Sequence, residues 1–343
     1  MSGTSVDGID LALLETDGEN HIKPLGFKSF PYTTKQRDII KSAFGLSDRN
    51  NPNVIAAKKI ITDAHINALK ETGWIADLIG FHGQTIFHDP DNRTTLQIGD
   101  GEQIAKETGI KTVYDFRSAD VSTGGQGAPL LPLYHQARLN NLKEPTVILN
   151  IGGVANVTWI HGNDVLAFDT GPGNALIDDH CLKHIGKPFD KDGALAMQGT
   201  VDQRLLKEWL GNLYFQIKPP KSLDRDAFIN CTPDDLTNED ALATLTAFTA
   251  QSIATGAKHF PRPATEWYVT GGGRHNKTLI DMLKKEIGTN NVQSVEILDW
   301  NGDALEAEGF AYLAVRSVLE LPLSLPNTTG CKKPMSGGKT ALP

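Results

Sequence analysis

Two glycine turns of similar composition lie far apart in this chain, and their residue types suit an anionic ligand. The first, MSGTSVDGID, spans residues 1–10, and the second, LNIGGVANVTWI, spans residues 149–160. Each turn leads into a run of alternating apolar residues, Ile9–Glu15 and Val154–Ile160, which predicts a β-hairpin in both places. Two such hairpins suggest two half-domains that close on one ligand.

The side chains of the first turn extend this interpretation to a phosphate. Glycine lets backbone N–H groups approach an anion closely, while Thr4 and Ser5 add hydroxyl donors. Asp7 offers a carboxylate for a metal ion, directly or through water. A Gly-Ser-Thr turn between strands is more often only a turn, so the hairpins alone do not establish a phosphate clamp.

A third motif favours a nucleotide. In WYVTGGGRHNKTL, residues 267–279, a strand runs into Gly271–Gly273 and then into a helix that Asn276 is expected to cap. A strand, glycines and a helix N-terminus are the parts of many nucleotide sites. The G-x-G-x-x-G fingerprint with its acidic partner and the G-x-x-x-x-G-K-[ST] loop are both absent from the sequence.

Two polar segments are candidates for ligand contacts. FHGQTIFHDP, residues 81–90, ends a predicted strand with His82, Gln84, Thr85 and His88, where open α/β sheets bind ligands. The other segment, residues 114–132, carries Asp115, Arg117, Asp120 and Gln126 in a glycine-rich stretch. An Asp–Arg pair that merely stabilises a linker is an equally good interpretation of the second segment.

Asp169 is the candidate general base. It ends a predicted strand and is followed by Gly171, Pro172, Gly173 and a helix that opens at Asn174. An acid stabilised by the helix dipole is the alternative. Because an ordinary carboxylate is ionised at neutral pH, it can accept a proton from a water or hydroxyl within hydrogen-bond reach, as phosphoryl transfer requires.

A second carboxylate lies on the last long helix, in GDALEAEGFAYLA. Leu305, Phe310 and Leu313 of this helix are expected to face the core. Glu306 and Glu308 are both candidates for a functional carboxylate, and one of the two could simply be a solvated residue.

Composition limits the classes of function. The chain has 343 residues and 39% hydrophobic content, enough for two cores of ordinary domain size. The net charge of -8, without a dense Lys/Arg block, argues against a nucleic-acid partner.

No run approaches the ~20 apolar residues of a membrane span and no leader is evident, which predicts a cytoplasmic protein without a membrane partner. Cys181, Cys231 and Cys331 show no C-x-x-C pair and no H-E-x-x-H motif occurs, so neither disulfides nor a tightly held transition metal is expected.

Strand and helix patterns alternate along the chain and predict the α/β class. The domain boundary is placed near Leu130, where STGGQGAPLLP is rich in glycine and proline, and the tail KKPMSGGKTALP is expected to be weakly ordered. Strands are predicted over Ile9–Glu15, Leu78–His82, Thr94–Ile98, Lys111–Phe116, Thr146–Ile151, Val165–Phe168, Trp267–Thr270 and Val292–Leu298. Helices are predicted over Asn53–Thr72, Asn174–Ile185, Glu239–Phe260 and Gly302–Leu319.

Taken in order, these motifs resemble the anhydro-N-acetylmuramic acid kinase family almost end to end. The residues that carry the resemblance are MSGTSVDGID, FHGQTIFH, LQIGDG, DFRSADVSTGGQGAPLLP, LNIGGVANV, FDTGPGNALID, FDKDGALA, VTGGG and DALEAEGFAYLA. That family belongs to the superfamily of sugar kinases, the Hsp70 ATPase and actin. The resemblance therefore implies two ribonuclease-H-like domains with a nucleotide cleft between them, the first formed by 1–130 and about 325–343 and the second by 131–324.

The resemblance also implies a reaction in which ATP, water and 1,6-anhydro-N-acetylmuramic acid give ADP and N-acetylmuramic acid 6-phosphate. Asp169 would activate the water, Glu306 rather than Glu308 would contact the sugar, and Mg²⁺ would bind at Asp7. The implied nucleotide residues are Ser2, Gly3, Thr4, Ser5, Val6, Asp7, Gly8 and Ile9 in the first hairpin, Asn150, Gly152, Gly153 and Asn156 in the second, Gly171, Gly173 and Asn174 after Asp169, and Gly271, Gly272 and Gly273 on the adenosine side. The expected amino-sugar contacts are His82, Gln84, Thr85, Asp115, Arg117 and Gln126, and a homodimer is possible.

Three other functions stay open at this point. A sibling sugar kinase would use Asp169 to deprotonate an ordinary sugar hydroxyl instead of water. A nucleotide-gated binding module would lack the sugar pocket, and a plain glycosidase would use Asp169 and Glu306 without ATP. The family also has about seven residues of strand before the first turn, so an unpaired sheet edge beside that turn is expected here.

Overall fold

The computed structural model describes residues 1–3, 5–139 and 144–343, and the chain divides into two compact units. Unit 1 comprises Met1–Asn140 and Ala304–Pro343, and unit 2 comprises Asn141–Asp303. These bounds differ from the expected division at Leu130 and 325. An ion pair explains the difference. Arg138, just before the boundary at Asn140, pairs with Glu308, just after the boundary at Ala304, and both residues therefore belong to unit 1.

Strands and helices alternate through the described residues, so the predicted α/β class is confirmed. The strands are β1 Gly8–Thr16, β2 Ile22–Pro31, β3 Ile79–Phe81, β4 Gln84–Asp89, β5 Thr94–Ile98, β6 Thr112–Tyr114, β7 Thr146–Ile151, β8 Val154–His161, β9 Asp164–Pro172, β10 Glu266–Thr270, β11 Val292–Ser294 and β12 Lys339–Ala341. The α-helices are α1 Thr34–Lys41, α2 Pro52–Thr72, α3 Gly101–Thr108, α4 Ser118–Ser122, α5 Pro132–Arg138, α6 Ala175–His180, α7 Gln203–Leu210, α8 Asn238–Gly256, α9 Lys277–Ile287, α10 Leu305–Val318 and α11 Pro326–Thr329.

The strands of unit 1 form three small groups. Strands β1 and β2 make an antiparallel hairpin, β4 and β5 make another, and β3, β6 and β12 form a sheet in the order β12-β6-β3. Helix α10 lies against β3, where a Cβ added at Gly80 would collide with the carbonyl of Phe310. Phe310 and Leu313 are buried, as the helix periodicity predicts.

Unit 2 is built on one five-stranded sheet in the order β11-β10-β7-β8-β9. Strands β7, β8 and β9 form an antiparallel meander, and β10 and β11 run parallel to β7. This order is that of the ribonuclease-H-like domain implied by the resemblance. The central strand β7 reads TVILNI, and the neighbouring residues Val147 and Ile148, which point to opposite faces, are both buried, as expected for a strand covered on both faces.

Local signals explain the two ends of α2 and the start of α9. In α2, Asn51 accepts a hydrogen bond from the N–H of Asn53, Pro52 occupies the first turn, and Gly73 ends the helix in the left-handed conformation. In α9, Asn276 Oδ1 accepts from the N–H of Leu279 at 3.0 Å, which confirms the predicted cap.

The structure differs in extent or order from three sequence-based expectations about elements. The run Val292–Leu298 is a strand only to Ser294 and then becomes a 3₁₀ turn, Val295–Leu298. The strand predicted over Val165–Phe168 extends as β9 to Pro172, because its pairing with β8 continues through Gly171. The tail is ordered, since Lys339–Ala341 pair with β6 as strand β12.

Candidate functional site

The first glycine turn presents few of its side chains to solvent. Val6 is fully buried with a left-handed φ of 56°, and its N–H donates to the carbonyl of Gly3 at 3.1 Å. Ser2 and Ile9 are also buried, so any contact of these three residues with a phosphate would involve the main chain. Ser5 is exposed, and Thr4 lies outside the described residues.

Glycine is required where the turn enters β1. A Cβ added at Gly8 would lie 2.5 Å from the carbonyl oxygen of Phe30 on β2. Asp7, immediately before it, is exposed over 73% of its side chain, and Arg37 Nη2 lies 3.4 Å from its Oδ1. The turn therefore holds one accessible carboxylate next to closely packed backbone.

Ser2 connects the first turn to the polar segment that follows β3. Its Oγ donates to Gln84 Oε1 at 2.6 Å and accepts from the hydroxyl of Tyr32 at 3.1 Å. Gln84 is fully buried as the first residue of β4. The turn and the polar segment are thus one connected structure within unit 1.

His82 is held as a neutral ring. Arg117 Nε donates to His82 Nε2 at 3.0 Å, which assigns the ring proton to Nδ1, and Nδ1 donates to the carbonyl of Gly83 at 2.9 Å. Burial, and then the charge of Arg117, place the pKa of His82 well below its usual value. His82 is thus suited to hydrogen bonding and packing rather than to proton transfer at neutral pH.

Thr85 belongs to a hydroxyl network on the β4–β5 hairpin. Gln97 Nε2 donates to Thr85 Oγ1 at 3.2 Å and to Thr95 Oγ1 at 2.8 Å, and His88 Nδ1 lies 2.9 Å from the same Thr95 oxygen. The predicted polar patch therefore extends onto β5, which sequence reasoning did not anticipate.

The glycine-rich segment after β6 is fixed by a buried carboxylate. Asp120 accepts from the N–H of Gly127 at 2.7 Å and from the hydroxyls of Ser324 and Thr329 at 2.5 Å and 2.7 Å. The N–H of Gln126 donates to the carbonyl of Thr329 at 2.6 Å. Asp120 thus ties the loop that carries Gln126 to the C-terminal part of unit 1.

Arg117 and Asp115 flank the same loop. Arg117 Nη1 donates to the carbonyl of Gly127 at 2.6 Å. Asp115 has a left-handed φ of 58°, and its Oδ2 lies 2.7 Å from Lys339 Nζ on β12. The ion pair between Asp115 and Lys339 is a stabilising contact that could not be read from the sequence.

In unit 2, the predicted glycine motifs meet around the turn between β7 and β8. The N–H groups of Asn174 and Gly173 donate to the carbonyls of Gly152 and Gly153 at 2.7 Å and 2.9 Å. Asn174 Nδ2 donates to the carbonyl of Ile151 at 3.1 Å. The second hairpin and the segment after Asp169 are therefore held together, as the sequence motifs suggest.

The third motif, Gly271–Gly273, lies against the same end of strand β7. Gly271 has a left-handed φ of 76°, and a Cβ there would collide with Asn150 Oδ1 and the Ile151 carbonyl. A Cβ at Gly273 would collide with the side chain of Ile151, and Gly272 lies beside Asn174. Three separate stretches of sequence thus form one glycine-lined surface in unit 2.

Arg274, a residue that sequence reasoning missed, fixes the Gly271 turn. Its side chain is only 3% exposed, and Nη1 donates to the carbonyl of Gly271 at 3.0 Å. Nε and Nη2 donate to Glu296 at 2.9 Å and to Asp303 at 2.8 Å. A buried guanidinium with three acceptors is well suited to hold a turn rigidly.

Asp169 lies within β9, opposite Asn156 of β8, and is 6% exposed. This position corrects the expectation that the residue ends its strand. Its Oδ2 accepts from the N–H of Leu223 at 2.7 Å, and its N–H donates to the carbonyl of Lys221 at 3.0 Å. The hydroxyl of Tyr214 donates to the carbonyl of Asp169. The carboxylate is therefore held by a segment that the sequence did not associate with it.

The two glutamates of α10 have different environments. Glu308 is buried, and its Oε2 accepts from the hydroxyl of Tyr134 and from Arg138 Nη1 at 3.0 Å. Arg138 is itself only 9% exposed. Glu306 is exposed, so it is the glutamate that can reach a ligand.

Comparisons with known proteins show the family of this chain. The family model described as anhydro-N-acetylmuramic acid kinase matches residues 1–342. The chain belongs to that family. An anhydro-N-acetylmuramic acid kinase of Rhizorhabdus wittichii is 48% identical, over 100% of this chain and 98% of the relative. One from Zymomonas mobilis is 44% identical over 99% and 97%.

Among solved structures, a ROK family glucokinase from Streptomyces griseus in complex with glucose and AMPPNP gives a TM-score of 0.41 at 12% identity, covering 89% of this chain and 96% of that chain. The assignment to the anhydro-N-acetylmuramic acid kinase family rests on the sequence matches. Within the residues that the structure describes, no helix combines the length and apolar character needed to cross a membrane.

Proposed function

We propose that this chain is an ATP-dependent kinase that opens 1,6-anhydro-N-acetylmuramic acid hydrolytically and phosphorylates O6, giving N-acetylmuramic acid 6-phosphate and ADP. The observation that carries this proposal is the family match over residues 1–342. The products place the reaction in the recycling of cell-wall amino sugars, and the use of ATP is consistent with a cytoplasmic enzyme.

Asp169 is the general base of the proposed reaction. It accepts a proton from a water as the water oxygen bonds to the anomeric carbon. The bond between that carbon and O6 breaks, and O6 then bonds to the γ-phosphorus of ATP while ADP leaves. The hydrogen bond from Leu223 to Oδ2 supports this role, because it orients a carboxylate that is otherwise nearly enclosed.

The glycine surface of unit 2 and the first turn of unit 1 are the proposed nucleotide-binding residues. A Cβ added at Gly152 or Gly153 would meet no atom outside the adjacent residues closer than 3.8 Å, so a ligand can approach the backbone closely there. Asn150, Asn174 and Gly271 adjoin this turn. Asp7 fits Mg²⁺, since this ion is commonly bound through one or two carboxylates together with substrate phosphates. When bound, Mg²⁺ would neutralise charge that develops on the phosphoryl oxygens.

The polar residues of unit 1 are the proposed sugar contacts. Arg117 donates to His82 and to the carbonyl of Gly127, and Ser2 donates to Gln84, so these three side chains are held in fixed positions. Glu306 is the carboxylate that we assign to the sugar, because Glu308 is committed to the buried pair with Arg138.

ADP release with Mg-ATP tests the proposal. We expect turnover with 1,6-anhydro-N-acetylmuramic acid and none with glucose or N-acetylmuramic acid, and we expect Asp169→Asn to abolish it. Asp164→Asn is the matched control, since Asp164 is an exposed acid on the same strand. Turnover with an ordinary sugar hydroxyl would instead identify a sibling sugar kinase.

We also propose a homodimer, which light scattering would reveal as twice the mass of one chain.

A further inference from the structure

We propose that Lys221 is a positioning residue for Asp169, whose main chain and ammonium group together hold the Asp169 carboxylate fixed and ionised. This inference rests on the proposed role of Asp169 as general base. It adds a residue from the irregular segment between α7 and α8, which carries none of the motifs singled out in the sequence.

The main chain around Lys221 holds Asp169 at two points. The carbonyl of Lys221 accepts from the N–H of Asp169 at 3.0 Å. Two residues later, the N–H of Leu223 donates to Asp169 Oδ2 at 2.7 Å. The first contact fixes the backbone of the base and the second fixes its side chain, so the carboxylate orientation depends on this segment.

The Lys221 side chain fixes the segment in turn. Lys221 is only 6% exposed, and its Nζ donates to the carbonyl of Tyr214 at 2.9 Å and lies 4.1 Å from the centroid of the Tyr214 ring. The hydroxyl of Tyr214 donates to the carbonyl of Asp169. Asp169, Tyr214 and Lys221 therefore form a closed set of contacts. Lysine is rarely buried unless its charge is compensated, and here an aromatic face and a carbonyl receive it.

The charge of Lys221 acts on the same carboxylate. Burial lowers the pKa of Lys221 to about 8, and the charge of Asp169 opposes that shift. The ammonium form is thus the main form at neutral pH, and a neighbouring cation favours the ionised form of a carboxylate. The other titratable groups facing Lys221 are the phenol of Tyr214 and the ring of His259, whose pKa is lowered by burial and then by Lys221.

The test is the pH dependence of kcat/KM for the anhydro sugar from pH 5 to 9 in Lys221→Met and Lys221→Arg. Loss of the cation should move the acid limb of the profile to higher pH by about one unit. At a given pH on that limb, kcat/KM should then fall about tenfold. Lys221→Arg should restore the limb. Lys218→Met is the matched control, because it removes an exposed lysine from the same segment and should leave the profile unchanged.

A merely structural role would lower the rate equally at every pH, together with the melting temperature, and would overturn the inference. Lys221→Gln gives a second test if Lys221→Met does not fold. It retains an N–H donor on the side chain that faces the carbonyl of Tyr214 and removes the charge, so the acid limb should shift as in Lys221→Met. An acid limb at its wild-type position would contradict the proposal.

Asp169→Asn in the same assay separates this inference from the proposed function. Full activity in Asp169→Asn would show that the assignment of the base is wrong. Loss of activity in Asp169→Asn with a wild-type profile in Lys221→Met would leave the function intact and overturn the role of Lys221.

Discussion

The hydroxyl of Ser2 donates a 2.6 Å hydrogen bond to Oε1 of Gln84, across 82 positions of sequence. Both side chains are buried, and the hydroxyl of Tyr32 donates to Ser2 Oγ. Burial raises the pKa of Tyr32 to about 12, so the phenol remains a donor throughout the physiological range. This chain of three hydrogen bonding groups links the first glycine turn to the polar residues after β3.

We expect Ser2→Ala to affect stability and ligand binding together. The substitution leaves the Gln84 oxygen without this donor in a buried position, which costs about 1–3 kcal/mol. The KM values for ATP and for the sugar should both rise, because the turn and the polar patch share the bond. Urea denaturation and steady-state kinetics measure the two effects. Ser5→Ala, at an exposed position of the same turn, should leave the free energy of unfolding unchanged.

Arg274→Met should weaken nucleotide binding selectively. The change removes the donor that holds the carbonyl of Gly271, while Glu296 and Asp303 remain about half exposed and can be solvated. We expect the KM for ATP to rise several-fold, with the KM for the sugar nearly constant. Arg204→Met removes an exposed arginine on α7 and serves as the control. A selective rise in the sugar KM would contradict the assignment of this surface to the nucleotide.

The two glutamates of α10 should separate into a functional and a structural residue. Glu308→Gln leaves the buried Arg138 uncompensated, and breaking such a pair costs about 3–5 kcal/mol. Glu306→Gln should reduce kcat/KM with the melting temperature unchanged, because Glu306 is exposed. Thermal melting and kinetics of both variants check this. The reverse pattern would reassign the sugar contact to Glu308.

Buried histidines should make unit 1 sensitive to mild acid. Burial lowers the pKa of His65 to about 3, followed by a smaller contribution from the N-terminal charge, while the unfolded chain titrates near 6.5. Below pH 6.5 the unfolded state therefore binds a proton that the folded state does not, and stability falls as the pH falls. The slope for one such group is about 1.4 kcal/mol per pH unit.

His65→Leu should remove that part of the slope. Urea midpoints between pH 7.5 and 4.5 provide the measurement, with His21→Leu as the control because that ring is 53% exposed. Equal pH slopes for the wild type and His65→Leu would show that His65 does not carry the effect.

Local patterns were sufficient to predict several elements of the site. The strand Thr146–Ile151 and the cap at Asn276 follow from residues adjacent in sequence, and the structure confirms both. The inward-facing residues of α10 follow from helical periodicity in the same way. In each case, the information lies within one element, so tertiary contacts are not needed to find it.

Features that depend on distant contacts could not be predicted. The hydrogen bond to the Asp169 carboxylate comes from the N–H of Leu223, 54 positions later. That segment has no regular alternation of apolar and polar residues. The ordered tail exists because β6 offers an edge to Lys339–Ala341, which composition does not reveal. The extension of β9 through Gly171 depends on pairing with β8, although glycine and proline usually end a strand.

The most direct test of the central claim is the fate of the attacking water. The reaction is run in H₂¹⁸O with ATP, Mg²⁺ and 1,6-anhydro-N-acetylmuramic acid, and the product is analysed promptly by mass spectrometry with fragmentation. Hydrolytic opening by a water activated at Asp169 predicts one ¹⁸O at the anomeric hydroxyl and none in the transferred phosphoryl group. Label in inorganic phosphate without phosphorylated sugar, or a phosphorylated sugar that retains its anhydro bridge, would contradict the account.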